Sequence, residues 1–170
     1  MITKPLNHEY AKFYKGYIDL VAETDAISAL ENSSNTLLNL LRGLQEPTGN
    51  YRYAPEKWSV KELVQHLIDS EIVFSYRALS IARGEKNKLP GFEQNEYVTE
   101  SKADYSSLAE IINLFESVRK TTILLFKSFP SSTYENVGNA NDNTVSVRAL
   151  AFIIAGHCNH HTSILKERYL

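Results

Sequence analysis

A single cysteine, Cys158, in 170 residues excludes an intrachain disulfide framework and fits a reducing compartment. Excess positive charge is also missing: 18 Lys and Arg stand against 20 Asp and Glu, for a net charge of −2. The densest basic group, Arg83 to Lys88, is interrupted by Gly84, Glu85 and Asn87. Nothing in this balance points to nucleic acid or an anionic membrane as a partner. No stretch approaches the ~18–20 apolar residues that span a bilayer, and MITKPLNHEYAKFYKGY has no apolar run resembling a signal peptide. The sequence holds no Gly-rich phosphate loop, no Cys-x-x-Cys pair and no Gly-x-Ser-x-Gly elbow. Internal repeats and low-complexity segments are absent. The expectation is a cytoplasmic protein with neither a nucleic-acid nor a membrane partner.

What remains is an ordinary globular composition, 43% apolar and 22% charged. One domain over residues 1–170 is expected, large enough to bury a core. The apolar periodicity is helical nearly throughout. A short helical segment is expected from Asn7 to about Ala22. Asp25 fits the N-cap of a helix to about Leu44. Ser59 and Glu62 have capping-box spacing for a helix to about Arg83, stopped by Gly84. Ser107 and Glu110 repeat that spacing for a helix to about Ser128, and a last helix runs from near Ser146 to about Tyr169. Sustained period-two alternation is missing, so strands are expected only as small local pieces. The fold class is therefore all-α, a four-helix bundle with a short N-terminal helical segment. Two connections, 84–105 and 130–145, are long for a bundle. Long loops in compact domains serve as lids or binding loops, and surface decoration is an equal alternative here.

The chemistry concentrates in GHCNHHTSIL. At about 100° per residue, with His157 as zero, His161 falls near +40°, between Leu150 near +20° and Ile154 near +60°, while Ile153 falls near −40°. Both histidines thus lie in the apolar stripe that faces the core. His160 falls at its edge, and Cys158 about 100° away. Buried imidazoles without partners cost roughly 1–3 kcal/mol each. A shared metal ion satisfies both at once; core hydrogen bonds to carbonyls or a carboxylate are the alternative. His66, in WSVKELVQHLIDSE, is the third candidate. It falls about 100° from the centre of its helix's apolar arc, an edge position that suits a solvent-facing site or an ordinary surface histidine. Asp69 could orient an imidazole by accepting its N–H, or be a solvated carboxylate. Glu71 reads as a partly buried carboxylate paired to an arginine of another helix. Arg77, near His66 in angle, is a candidate for an anionic substrate group, although a surface salt bridge is the commoner fate. His8 reads as exposed, and Cys158 as a small buried residue with nothing to mark a lowered thiol pKa.

KWSVKELVQHLIDSE, RALSIARGE, LPGFEQNEYV and RALAFIIAGHCNHHTSILKERYL together resemble the DinB-like superfamily, in the branch with bacillithiol transferases. The similarity runs over nearly the whole chain. Its most specific element is the histidine of WS-x6-H-L-x-D combined with the later H-x-x-H-H. The resemblance implies up-down-down-up bundle topology and a homodimer. It implies a divalent metal held by His66, His157 and His161, with His160 an extra, non-ligand histidine. Relatives of this kind transfer low-molecular-weight thiols such as bacillithiol or mycothiol, or isomerise substrates with one. The implied function is metal-dependent transfer of such a thiol onto an electrophile; a metal-dependent hydrolase and a non-catalytic binding dimer are the alternatives. Three neutral nitrogens with an open position describe a catalytic metal site. Imidazole suits zinc, nickel, copper or iron, and zinc or nickel is the leading expectation.

Overall fold

A computed structural model describes all 170 residues. The chain opens with two single 3-10 turns, Asn7–Glu9 and Lys12–Tyr14, and then forms α1 (Lys15–Asp19), α2 (Ala26–Arg42), α3 (Glu46–Gly49), α4 (Val60–Ala82), α5 (Gln94–Ser101), α6 (Leu108–Ser128) and α7 (Val147–Ile164). The four long helices start where side chains satisfy free backbone donors. Asp25 accepts from the Ser28 N–H, and Ser146 from the Ala149 N–H. The Ser59–Glu62 and Ser107–Glu110 capping boxes are both complete.

Two apolar clusters fill the bundle, one at each end, and they fix the direction of every helix. One joins Ala26 and Leu30 of α2, Phe74 and Ile81 of α4, Phe126 of α6 and Leu150 of α7. The other joins Leu41 of α2, Val60 of α4, Leu108 of α6 and Leu165 just beyond α7. Hence α2 and α7 run one way, α4 and α6 the other, which is up-down-down-up in chain order. Around the ring the neighbours are α2, α7, α4 and α6, and α6 closes on α2. The first two long helices therefore stand on a diagonal.

The long connections are not bare loops. The 84–105 link contains α5. The 130–145 link contains a hairpin, β1 (Val137–Ala140) paired antiparallel with β2 (Asn143–Ser146). Its turn residues, Asn141 and Asp142, take φ of 52° and 62°, as a tight primed hairpin turn requires. Leu89 joins the hairpin through two backbone bonds, its N–H to Asn139 O and its O to Asn141 N–H, both 2.9 Å. One connection thus holds the other in place.

The N-terminal segment is fastened by a buried ion pair. Glu9 takes a hydrogen bond from Arg148 Nε at 2.8 Å, from the Ser146 hydroxyl at 2.7 Å and from the Leu6 N–H at 2.8 Å, and Arg148 Nη2 completes a bidentate pair. Burial alone would raise the Glu9 carboxyl, but these donors hold it down to about 2. A carboxyl depressed in the folded state stabilises the fold above its unfolded pKa, and that contribution is lost as pH falls toward the folded value. The stability difference between wild type and Glu9→Gln should therefore be full above about pH 5. It should shrink by about 3 kcal/mol by pH 2, as read by urea titration at each pH.

Candidate metal centre

Helix α7 carries His157 and His161 one turn apart, and its antiparallel neighbour α4 carries His66 opposite them. One ligand-capable atom from each of the three lies within 4.8 Å of the others. Ring centroids stand 4.9 Å apart for His66 and His157, 5.0 Å for His66 and His161, and 4.6 Å for His157 and His161. All three are buried. Burial holds His66 at about 4, and burial together with the neighbouring His66 and His160 holds His161 at about 3. Burial first, and then the neighbouring His161, His66, His160 and Arg119, push His157 well below the usual imidazole range. All three are accordingly neutral at pH 7, with nitrogen lone pairs free to act as ligands.

The surrounding residues fix the rings. Gly156, just before His157, is where α1 reaches α7: a Cβ there would sit 1.9 Å from the Tyr17 carbonyl oxygen. Glycine thus permits the contact that lays the Tyr17 ring edge-on to His157, centroids 5.2 Å apart. On the other side the Trp58 ring lies 4.8 Å from His66. The Trp58 carbonyl accepts from the Tyr169 hydroxyl at 2.7 Å. Burial pushes that hydroxyl up to about 12, so it remains a donor. Ser70 Oγ stands 3.5 Å from His66 Nδ1, at the outer limit of a hydrogen bond.

The donor set fits a cation. The Nε2 atoms of His66 and His157 face each other at 3.0 Å, an arrangement in which at most one proton can lie between two neutral rings. His161 Nδ1 is buried with no hydrogen-bond partner, which is costly for a polar atom in a core. Three neutral nitrogens are the ligand set of an open site.

Two clefts meet at the histidines. One, of about 380 Å³, is lined by His66, His157, Tyr17, Phe74, Arg77 and Phe92. The other, of about 260 Å³, is lined by His161, Trp58, Tyr53 and Tyr169. Asn95 borders both. The long connections therefore contribute walls, Phe92 to Asn95 from one and Asn141 from the other, and surface decoration does not describe them.

The structure departs from the sequence expectations at three residues. His66 is 3% exposed, not at a solvent edge, because α4 is covered by α6, α7 and α5 together and by the Trp58 ring. Asp69 orients no imidazole; it accepts from the Gln65 amide at 2.8 Å. Arg77 is buried and lines a cleft in place of forming a surface salt bridge. Glu71 does pair with an arginine of another helix, Arg119. Cys158 is buried, as the sequence reading has it, and burial pushes its thiol up, away from the thiolate form. His160 is half-buried outside the cluster, and His8 is exposed. The sequence marks no site role for Tyr17, Asn95 or Trp58, although Trp58 opens the WS-x6-H-L-x-D motif; only their places in the fold bring them to the site.

Comparison with known proteins agrees with this architecture. No curated protein matches the sequence. Solved structures share the fold, YfiT and a maleylpyruvate isomerase among them. YfiT from Bacillus subtilis, described as a probable metal-dependent hydrolase with an unusual four-helix bundle topology, superposes with a TM-score of 0.72 at 13% identity, over 97% of this chain and 91% of that one. A mycothiol-dependent maleylpyruvate isomerase gives 0.69 at 11% identity, over 81% of this chain and 58% of that one. No helix is long and apolar enough to cross a membrane. A family model matches residues 29–165, a span that holds the three clustered histidines and, but for the first turn of α2, the four long helices, and the chain belongs to the DinB superfamily.

Proposed function

We propose that this protein is a divalent-metal-dependent enzyme that moves a low-molecular-weight thiol onto an electrophile, with His66, His157 and His161 as the metal ligands. The observation that carries the proposal is the convergence of three buried, neutral imidazoles where two clefts meet. When bound there, a divalent cation, zinc or nickel by preference, supplies the charge that keeps a thiol in its thiolate form at neutral pH. The chain's own residues do the rest. Burial keeps protons off the ligand nitrogens. Trp58 and Tyr17 clamp the imidazole rings from either side, and the aromatic walls exclude water. A cleft on each side gives the thiol and the electrophile separate approaches, whereas hydrolysis needs room for one organic substrate. The names of the two structural neighbours carry both metal-dependent hydrolysis and thiol dependence, so hydrolysis is the competing reading. Within the proposal the protein is one domain and acts as a cytoplasmic homodimer, which sedimentation of the untagged protein checks.

The test is turnover of an aryl chloride electrophile by untagged, metal-loaded protein with and without added cysteine. Product that requires the thiol and disappears on chelation is expected. Turnover with water alone would replace transfer by hydrolysis, and a protein that takes up no divalent metal would end both readings.

A further inference from the structure

Three arginines of this chain are buried, and only two of them have a counter-charge. Arg119 forms a bidentate pair with Glu71, and Arg148 one with Glu9. Arg77 is 3% exposed and forms no ion pair. Its Nη2 donates to the Pro90 carbonyl at 2.8 Å and its charge acts on the neutral Tyr14 hydroxyl in the same cleft, but its Nε is buried with no hydrogen-bond partner. Its Cζ lies 5.7 Å from the Phe74 ring centroid and 6.0 Å from that of Phe92. Aromatic faces soften the desolvation of a cation but do not neutralise it. An unpaired buried guanidinium is an expensive feature to keep, so the missing partner deserves a source.

The position of Arg77 supplies one. His66, Ser70, Phe74 and Arg77 succeed one another along one face of α4, and all four line the larger cleft. Side chains on a helix lean toward its N-terminus, which carries the guanidinium back toward His66. The Phe74 ring lies between the two functions, 5.7 Å from Arg77 Cζ and 6.2 Å from the His157 ring, so the cation stands within about 12 Å of the histidine cluster. The one acidic residue in the lining, Glu93, is exposed, and its carboxylate accepts from the Asn95 N–H at 3.0 Å and the Asn95 side-chain amide at 3.1 Å.

We infer that Arg77 is a specificity residue: it binds a carboxylate-type anionic group of the substrate, whose body lies against Phe74, Phe92 and Tyr17 and whose reactive end reaches the histidines. A planar guanidinium with free donors matches a carboxylate. The inference rests on the proposed function only in taking this cleft as the substrate cleft.

Titration calorimetry on metal-free, untagged protein at pH 7 tests it, with 3-phenylpropionate and its neutral amide as matched probes. Wild type is expected to prefer the carboxylate by about tenfold or more. Arg77→Gln should remove that preference without weakening the amide, and Arg77→Lys should restore part of it. Equal affinity of the wild type for the two probes would overturn the inference, as would an unchanged preference in Arg77→Gln. If Arg77→Gln does not fold, the wild-type comparison and Arg77→Lys decide the question. Metal content of zinc-loaded samples separates this from the proposed function: a wild type that discriminates the probes but takes up no zinc keeps the anion site and loses the enzyme.

Discussion

His157→Ala should abolish tight divalent-metal uptake while leaving the bundle folded. His157 faces both other histidines, at 3.0 Å from His66 between Nε2 atoms and 4.6 Å from His161 between ring centroids, so its loss leaves two donors and an opened cavity. Losing even an orienting partner of a ligand costs 10–100-fold in affinity; losing the ligand should exceed about 100-fold. The thermal readout is equally direct. A ligand at a thousand times its Kd stabilises the folded state by about 4 kcal/mol. Wild type should gain on that scale when zinc is added, and His157→Ala should gain nothing. In metal-free protein the two should differ by no more than about 1–2 kcal/mol, since what His157 loses there is one hydrogen bond between two neutral rings. A large loss of metal-free stability would mean that the histidines are core hydrogen-bonders. Metal content by mass spectrometry and melting with and without zinc, on protein without a histidine tag, decide between the two.

Arg119→Met should destabilise the fold by about 3–5 kcal/mol. Arg119, on α6, is the point where three helices are tied. Its Nε and Nη2 hold both Glu71 oxygens of α4 at 2.8 Å, and its Nη1 reaches the Leu30 carbonyl and the Ser33 hydroxyl of α2 at 2.7 and 2.9 Å. Both partners are 3% exposed or less. Removing the guanidinium alone strands the Glu71 carboxylate in the core. The double substitution Glu71→Leu, Arg119→Met should recover most of the loss, since apolar replacements of buried pairs are often neutral or better. For a chain of this length the single variant should melt roughly 10 °C lower. Equal stability of the single and double variants would show that the pair carries no such coupling.

The bundle was legible because its signals are local. Asp25, Ser59, Ser107 and Ser146 mark the starts of the four long helices within a few residues, and each caps its helix in the structure, Ser59 and Ser107 with the capping boxes their spacing predicts. The convergence of His157 and His161 was legible for the same reason, one turn of one helix. His66 was not, because a helical wheel knows only its own apolar arc. Its burial comes from three neighbouring helices and from Trp58, contacts set by topology. The burial of Arg77 was illegible on the same ground: an arginine beside polar residues looks solvated until the 84–105 connection folds over it through Pro90. The hairpin at 137–146 gave little sign because four-residue strands are too short for alternation to register, although Asn141-Asp142 is the kind of pair that such a turn needs.

The diagonal placement of α2 and α4 also constrains how the chain assembles. Helices that follow one another in sequence usually pack as a hairpin and can settle early. Here α2 must wait for partners that lie far along the chain, α6 and then α7, and the seat of His66 is empty on one side until α7 arrives. As the polypeptide leaves the ribosome, α4 and α6 can pair, but α2 has neither of its neighbours until α6 has emerged. The core and the histidine cluster are therefore complete only once α7 has docked against α2 and α4.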